Sequence, residues 1–202
     1  MPASDDATTD GSTDDELRAI IVGDLRQHNA PIVLSDYDPR WPALFARERD
    51  RIRGALGATA VAVEHVGSTS VPGLAAKPII DILLVVPDSS DEARYLPELE
   101  SRGYALRIRE PEWFQHRLLK GPDTDVNVHV FSVGATECRQ MTGFRDRLRA
   151  DAADRDYYQA AKRALARRTW RHVQHYADAK TAVIREIMTR ASACHDTPDL
   201  ER

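Results

Sequence analysis

The sequence predicts an α/β (α+β) fold in which a mixed, mostly antiparallel sheet is flanked by helices and followed by a helical C-terminal segment. Two apolar runs, 60–66 and 79–86, have the length and β-branched content of buried strands. Several other stretches carry apolar residues at helical spacing. Asp81 lies inside the second apolar run, where a carboxylate is costly unless it is paired or holds a metal ion. These features predict two central strands with a polar site beside them.

Composition restricts the class of protein. With 202 residues, of which 42% are hydrophobic, the chain can bury one full core, and we expect a single domain. Its formal charge of -4 argues against a general attraction to nucleic acid, and DNA binding is disfavoured. No apolar run reaches the roughly 18 residues of a membrane span, and no signal-peptide pattern is present, so we expect a cytoplasmic protein without a membrane partner. Cys138 and Cys194 lack the spacing of a zinc site or a disulfide framework.

The ends of the chain differ from its middle. Residues 1–16 are acidic and polar with no basic residue, which predicts a disordered and dispensable tail. The domain is predicted over 17–192, opening with a short helix over about 16–28, and residues 193–202 are predicted to fray.

The elements of the domain follow from local patterns. A brief strand is predicted at 32–34, and Asp38-Pro39 is a typical helix start for a helix that ends at Gly57. Trp41 and Phe45 lie on the apolar face of that helix, where a core role is favoured over stacking on a base. The remaining predictions are a helix over 91–101, a strand over 104–109, an antiparallel pair over 114–120 and 125–131, and helices thereafter.

The turn between the two central strands is rich in small and polar residues. Gly67 lets the backbone approach a ligand closely, and Ser68, Thr69 and Ser70 supply hydroxyl groups. Lys77 adds a positive charge before the second strand begins. This combination predicts a phosphate-binding or nucleotide-binding site at a strand end.

The stretch 64–86 resembles the signature of the GrpB family, which belongs to the nucleotidyltransferase-like superfamily. That superfamily has Gly-Gly or Gly-Ser at a strand-to-helix turn and Asp-x-Asp or Asp-x-Glu on the next strand. Here Gly67-Ser68 is followed by Asp81-Ile82-Leu83, so a leucine stands at the second carboxylate position. The resemblance covers most of the chain, including Asp38-Pro39-Arg40-Trp41, Phe144-Arg145-Asp146, Tyr176 and Lys180.

The resemblance implies a nucleotidyltransferase-like fold and magnesium-dependent transfer of a nucleotidyl group to a small molecule or RNA. It makes Asp81 a catalytic residue and a Mg²⁺ ligand, and it implies a third carboxylate on the strand 125–131. Alternation puts Asn127 and His129 on one face of that strand. Asn127 is therefore a candidate metal ligand and His129 a candidate general base. His116 could join this site from the facing strand. Alternatively, His129 is a sheet histidine satisfied by its neighbours.

The chain contains far more arginine than lysine. Among 28 basic residues, only Lys77, Lys120, Lys162 and Lys180 are lysines, and a lysine retained in an arginine-rich chain can mark a need for a compact charge. Arg145 and Arg149 stand at i, i+4 and could clamp a phosphate. The alternatives are chance for the lysines and a solvated helix face for the arginines.

Leu83 leaves two classes of function open, because two-metal chemistry needs several carboxylates. The first is the transferase implied by the resemblance. The second is a non-catalytic nucleotide- or CoA-related binding module, since GrpB-like segments also occur fused to dephospho-CoA kinase in some bacteria. Mg²⁺-dependent release of pyrophosphate from a nucleoside triphosphate would separate them.

Overall fold

A five-stranded sheet and seven helices form the protein in the computed structural model, which describes residues 12–195 and the side chains through residue 191. The strands are β1 (Ala62–Val66), β2 (Ile80–Val86), β3 (Ala105–Glu110), β4 (His116–Lys120) and β5 (Val126–Ser132). The helices are α1 (Asp14–Ile20), α2 (Trp41–Leu56), α3 (Leu96–Ser101), α4 (Thr136–Ala150), α5 (Ala152–Ala166), α6 (Val173–Ala179) and α7 (Thr181–His195). Within these residues no helix is both long and apolar enough to cross a membrane.

The sheet is mixed and mostly antiparallel, as the sequence predicts. Its strand order is β1-β2-β5-β4-β3, and only the β2–β5 pair is parallel. The parallel register pairs Asp81 with Asn127 and Leu83 with His129. The polar residues of β2 and β5 therefore lie side by side at the middle of the sheet.

The two faces of the sheet have different roles. One face packs against α2 and α3 in the largest apolar cluster, which includes Ile82, Leu84, Val128 and Val130. The other face carries Asp81, Asn127 and His129 on the alternate residues of β2 and β5. The C-terminal helices cover part of this second face and leave a cavity over its polar residues.

The N-terminal boundary differs from the sequence prediction. Residues 1–11 of the predicted tail lie outside the described residues, but helix α1 begins at Asp14, two residues before the tail was predicted to end. Thr13 and Glu16 form a capping box that satisfies the first backbone N–H groups of the helix. Asp14 also accepts a hydrogen bond of 3.0 Å from Nε2 of the buried His172. The helix ends at Ile20 because Ile21 turns to pair with Ile108 of β3.

Two further segments differ from the sequence prediction. Residues 32–34 form no strand, since Ile32 instead donates its backbone N–H to the carbonyl of Ala166 at the end of α5. At the C-terminus α7 runs to His195, so the predicted frayed end at 193–202 begins too early, and residues 196–202 lie outside the described part.

Helix α1 should contribute to stability through its buried leucine. Leu17 is only 2% exposed, so Leu17→Ala should lower the free energy of unfolding by about 2–5 kcal/mol. The matched control is Val33→Ala, because Val33 is 77% exposed and its truncation should change stability by less than about 0.5 kcal/mol. Denaturant unfolding measures both variants. Equal stabilities of Leu17→Ala and the parent would show that α1 does not dock.

Candidate functional site

The turn after β1 is shaped by Gly67 and held by its own hydroxyl groups. Gly67 has φ +67°, and a Cβ at this position would overlap the carboxylate of Asp81. The following residues, Ser68–Ser70, form a short 3₁₀ turn in which Ser70 Oγ donates to the Gly67 carbonyl at 2.6 Å. Thr69 Oγ1 donates to the Ile79 carbonyl at 3.1 Å, which ties the turn to the start of β2. A glycine is therefore required for the close approach of the turn to Asp81.

Asp81 is the polar centre of the sheet. Its Oδ1 accepts a hydrogen bond of 2.8 Å from Asn127 Nδ2 and lies 3.8 Å from His129 Nε2, and 28% of its side chain remains accessible. Burial would raise the pKa of Asp81, but its interactions with His129 and with the Asn127 amide, together with the charge of Lys180, outweigh that effect. The net result is a pKa below the ordinary value, so this carboxyl group is ionised at neutral pH.

Three lysines from different parts of the chain surround this carboxylate in a cavity of about 260 Å³, which we call the lysine cavity. Lys77 precedes β2, Lys162 lies on α5 and Lys180 follows α6. The ammonium group of Lys162 donates to Ser68 Oγ at 2.9 Å and to the Ala75 carbonyl. The ammonium groups of Lys180 and Lys77 lie 4.8 and 5.8 Å from the ring centre of Tyr176.

The lysine charges are only partly compensated. Burial lowers the pKa of Lys162 to about 7, and the neighbouring charge of Lys180 adds to this effect. Burial and the charge of Lys77 lower the pKa of Lys180 to about 8. Burial also lowers the pKa of Lys77. Because one carboxylate faces three ammonium groups, the lysine cavity is complementary to a multiply charged anion.

Most of the predicted site residues come together in this cavity. Its lining includes seven of them, namely Gly67, Ser68, Thr69, Lys77, Asp81, Asn127 and His129. Leu83 shares the strand face with Asp81 but does not line the cavity; it is 1% exposed and packs against Val66 and Phe131. The position of the second carboxylate is thus part of an apolar cluster beneath α4.

The predicted site residues Ser70, Arg145 and Arg149 do not line the lysine cavity. They lie in a separate opening of about 520 Å³, the arginine cleft, on the other side of the 67–72 turn. Arg145 pairs with Glu64 at 2.9 Å and Arg149 donates to the Ser70 carbonyl at 2.8 Å, because α4 packs against β1 and this turn. Glu64 therefore faces the arginine cleft and cannot replace the carboxylate missing at Leu83.

Lys162 and Lys180 are site residues that sequence reasoning did not assign. The available signal was the scarcity of lysine, because three of the four lysines in the chain line the lysine cavity. The fourth, Lys120, is a partly exposed residue that pairs with Asp125 at 2.8 Å.

The donor atoms around Asp81 do not fit the magnesium ions that the resemblance implies. Nowhere among the described residues do three or more His, Cys, Asp or Glu side chains group so that they could hold a metal ion. A pair of Mg²⁺ ions needs several carboxylates, whereas this site offers one carboxylate, the Asn127 amide and an imidazole. The three lysines would in addition repel a divalent cation.

Comparison with known proteins places the chain in a family. The family model described as GrpB protein matches residues 31–190. The chain belongs to the GrpB family. A UPF0157 protein of Halalkalibacterium halodurans is 61% identical over 192 residues, which cover 95% of this chain and 98% of the relative.

A solved structure supports the same family and fold. The crystal structure of the conserved protein GrpB from Enterococcus faecalis matches with a TM-score of 0.68 and 30% identity, covering 81% of this chain and 99% of that one. A protein named dephospho-CoA kinase from Mycolicibacterium paratuberculosis is 29% identical over 188 residues. The match covers 80% of this chain but 46% of that protein, so this GrpB chain corresponds to part of it.

The fit between Gly67 and Asp81 can be tested by adding one methyl group. Gly67→Ala should destabilise this GrpB protein by more than roughly 1–2 kcal/mol, because its φ of 67° with ψ of -172° is a conformation open essentially to glycine alone and the added Cβ must also displace Asp81. Gly73→Ala is the matched control, since Gly73 lies in the same turn region at φ +79° with open space around its Cβ position. Denaturant unfolding of both variants measures the difference. Equal losses of stability in the two variants would show that the turn is not in close contact with Asp81.

Proposed function

We propose that this GrpB protein binds the phosphate groups of a nucleotide or of another phosphate-bearing small molecule in the lysine cavity. The observation that carries this proposal is the convergence of Lys77, Lys162 and Lys180 on a cavity with a single carboxylate. A bound polyphosphate would balance ammonium groups that are held away from bulk water.

The size of the cavity indicates which part of the ligand it takes. At about 260 Å³ it is smaller than the roughly 300–1,000 Å³ of pockets that enclose a whole small-molecule ligand. The phosphate groups therefore lie inside it, against the lysines, and the remainder of the ligand extends through the opening. Because the charge is supplied by lysines, this binding does not depend on a metal ion.

A second candidate ligand is favoured by a specific relative. The match to a protein named dephospho-CoA kinase suggests a CoA-related ligand for the same cavity, since CoA also carries phosphate groups. Competition among ATP, GTP, CoA and dephospho-CoA for one site would rank these ligands. Transfer of a nucleotidyl group requires a proton acceptor as well as a phosphate site, and Asp81 and His129 are the candidates for that role.

Removal of one cavity charge should weaken phosphate binding. A charge-assisted hydrogen bond contributes about 1.5–3 kcal/mol, so Lys180→Met or Lys162→Met should lower the affinity for inorganic triphosphate about ten- to a hundredfold. Methionine keeps the length and apolar stem of lysine. Isothermal titration calorimetry measures the affinity, and excess EDTA should leave it unchanged.

Lys120→Met is the matched control for these variants. Lys120 is partly exposed, pairs with Asp125 and does not line the cavity, and its charge reaches Lys77 only from outside. This variant should therefore lose far less affinity for triphosphate than the two cavity variants. Equal affinities for all three lysine variants would contradict the proposal. A requirement for Mg²⁺ would contradict the metal-independent form of it.

Phosphate binding should also take up protons. The pKa values of Lys162 and Lys180 are about 7 and about 8, so both lysines are partly deprotonated at pH 8. A bound anion stabilises the ammonium form and raises these pKa values, which draws protons from the buffer, on the order of one per ligand. The affinity should therefore fall as the pH rises from 7 to 9.

Calorimetric titrations at pH 8 in buffers of different ionisation enthalpy measure this uptake. These titrations use ATP, because the terminal phosphate of an organic phosphate has its last pKa at about 6–7 and is essentially deprotonated at pH 8. The protons are therefore taken up by the protein. The uptake should be smaller in Lys162→Met. Proton release on binding, or an affinity that rises with pH, would show that the lysines do not hold the anion.

A further inference from the structure

A row of four side chains crosses four neighbouring strands and ends in the lysine cavity. It begins at Glu110 on β3, whose Oε2 lies 2.5 Å from Nδ1 of His116 on β4. Nε2 of His116 lies 3.1 Å from Nδ1 of His129 on β5. Nε2 of His129 lies 3.8 Å from Oδ1 of Asp81 on β2. The row connects a partly exposed carboxylate at the edge of the sheet with the carboxylate at its centre.

The central link of the row is enclosed and geometrically well defined. His116 is 2% exposed, and its ring packs against Trp113 and Phe131, whose ring centres are 5.0 and 4.7 Å away. The rings of His116 and His129 are within 19° of parallel with centres 5.3 Å apart, which together with the 3.1 Å nitrogen contact is an edge-to-edge hydrogen bond. The two residues before His116, Phe114 and Gln115, both have positive φ. This conformation is costly for residues other than glycine, and it sets the direction in which β4 begins.

The hydrogen bonds decide which ring nitrogens carry protons. Burial lowers the pKa of His116, so its ring is neutral at neutral pH, although the Glu110 hydrogen bond opposes this effect. An ionised carboxylate only accepts, so the proton of His116 is on Nδ1 and its Nε2 is an acceptor. His129 must then donate from Nδ1. In neutral His129 the remaining nitrogen, Nε2, therefore carries a lone pair and faces the cavity.

We propose that Glu110 and His116 are positioning residues that hold Nε2 of His129 as the proton acceptor for a hydroxyl group of a second substrate in the lysine cavity. This proposal rests on the proposed phosphate site. The hydroxyl O–H bond breaks and an N–H bond forms at Nε2, while the oxygen uses its freed electron pair to attack the phosphorus of the bound ligand. The bond from phosphorus to its leaving phosphate breaks, and the leaving group keeps that electron pair beside the lysines.

The surroundings of His129 suit this step. Asp81, 3.8 Å from Nε2, stabilises the imidazolium that forms, and Glu110 stabilises it through His116. The lysines offset the negative charge that develops on the transferred and leaving groups. No proton has to pass along the row, because its function is to fix the tautomer of His129.

The state of His129 can be measured in the ligand-free protein. Histidine ring ¹⁵N chemical shifts separate protonated from unprotonated nitrogens, and the spectrum is recorded about two pH units above the ordinary histidine pKa of ~6.5. In the parent protein we expect His129 to be protonated at Nδ1 and unprotonated at Nε2, the tautomer that free histidine disfavours. In Glu110→Ala this tautomer should become the minority form, while the affinity for inorganic triphosphate is retained.

Two further variants make the test specific. Glu112→Ala removes the same charge from an exposed position two residues away and should leave the spectrum of His129 unchanged. His116→Phe keeps a ring packed against Trp113 and Phe131 but removes both hydrogen bonds, so the tautomer of His129 should change as it does in Glu110→Ala. Acylation of His129 Nε2 by diethyl pyrocarbonate, followed by mass spectrometry, should be fast in the parent and slow in both variants.

The outcomes separate the two proposals. A parent protein with its proton on Nε2 of neutral His129, or a tautomer that is unchanged in both Glu110→Ala and His116→Phe, would overturn the positioning proposal whatever the triphosphate affinity. Failure to bind triphosphate in a parent protein with the expected tautomer would overturn the phosphate site instead, and with it the transfer step, while the positioning of His129 would stand.

Discussion

An ionised carboxylate in the middle of the sheet is the constraint on which the rest of the site depends. Asp81 lies on a central strand whose alternate residues form the main core, and its charge has to be compensated within that setting. The parallel partner strand supplies Asn127 and His129 at the same level. The turn before it must contain Gly67, because any side chain there would occupy the space of the carboxylate. The local sequence around Asp81 is thus largely explained by one buried charge.

The positive charge around Asp81 exceeds what is needed to compensate one carboxylate. Lys77, Lys162 and Lys180 bring three ammonium groups from separate elements, at a cost in desolvation that their lowered pKa values record. Three partly desolvated cations around one anion are not the minimum-energy solution for a structural ion pair. A bound phosphate group would offset the desolvation cost of the three ammonium groups, and its binding would stabilise the folded state. The excess of lysine is therefore what the proposed phosphate site would account for.

The sequence was sufficient for features that depend on local pattern. Apolar runs identified β1 and β2, and strand alternation placed Asn127 and His129 on one face. It was insufficient where tertiary packing decides the direction of a side chain. The i, i+4 spacing of Arg145 and Arg149 correctly puts them on one helix face, but α4 packs against β1, so this face meets the arginine cleft. Likewise, nothing in the local sequence brings α5 and α6 over Asp81, and Lys162 on α5 and Lys180 directly after α6 had no assigned role.

The leucine at position 83 shows why the site should be described by its charges rather than by its family pattern. Leu83 is enclosed by Val66 and Phe131 beneath α4, so an ionised side chain there would be desolvated without a partner. The apolar cluster and a second carboxylate exclude each other, and the position cannot simply regain a metal ligand. In a nucleotidyltransferase-like arrangement the metal ions offset phosphate charge. Here ammonium groups occupy the same cavity and can offset that charge, while the row from Glu110 to His129 presents a proton acceptor. The departure from the family pattern is thus consistent with a phosphate site in which cationic side chains take over the electrostatic role of the metal.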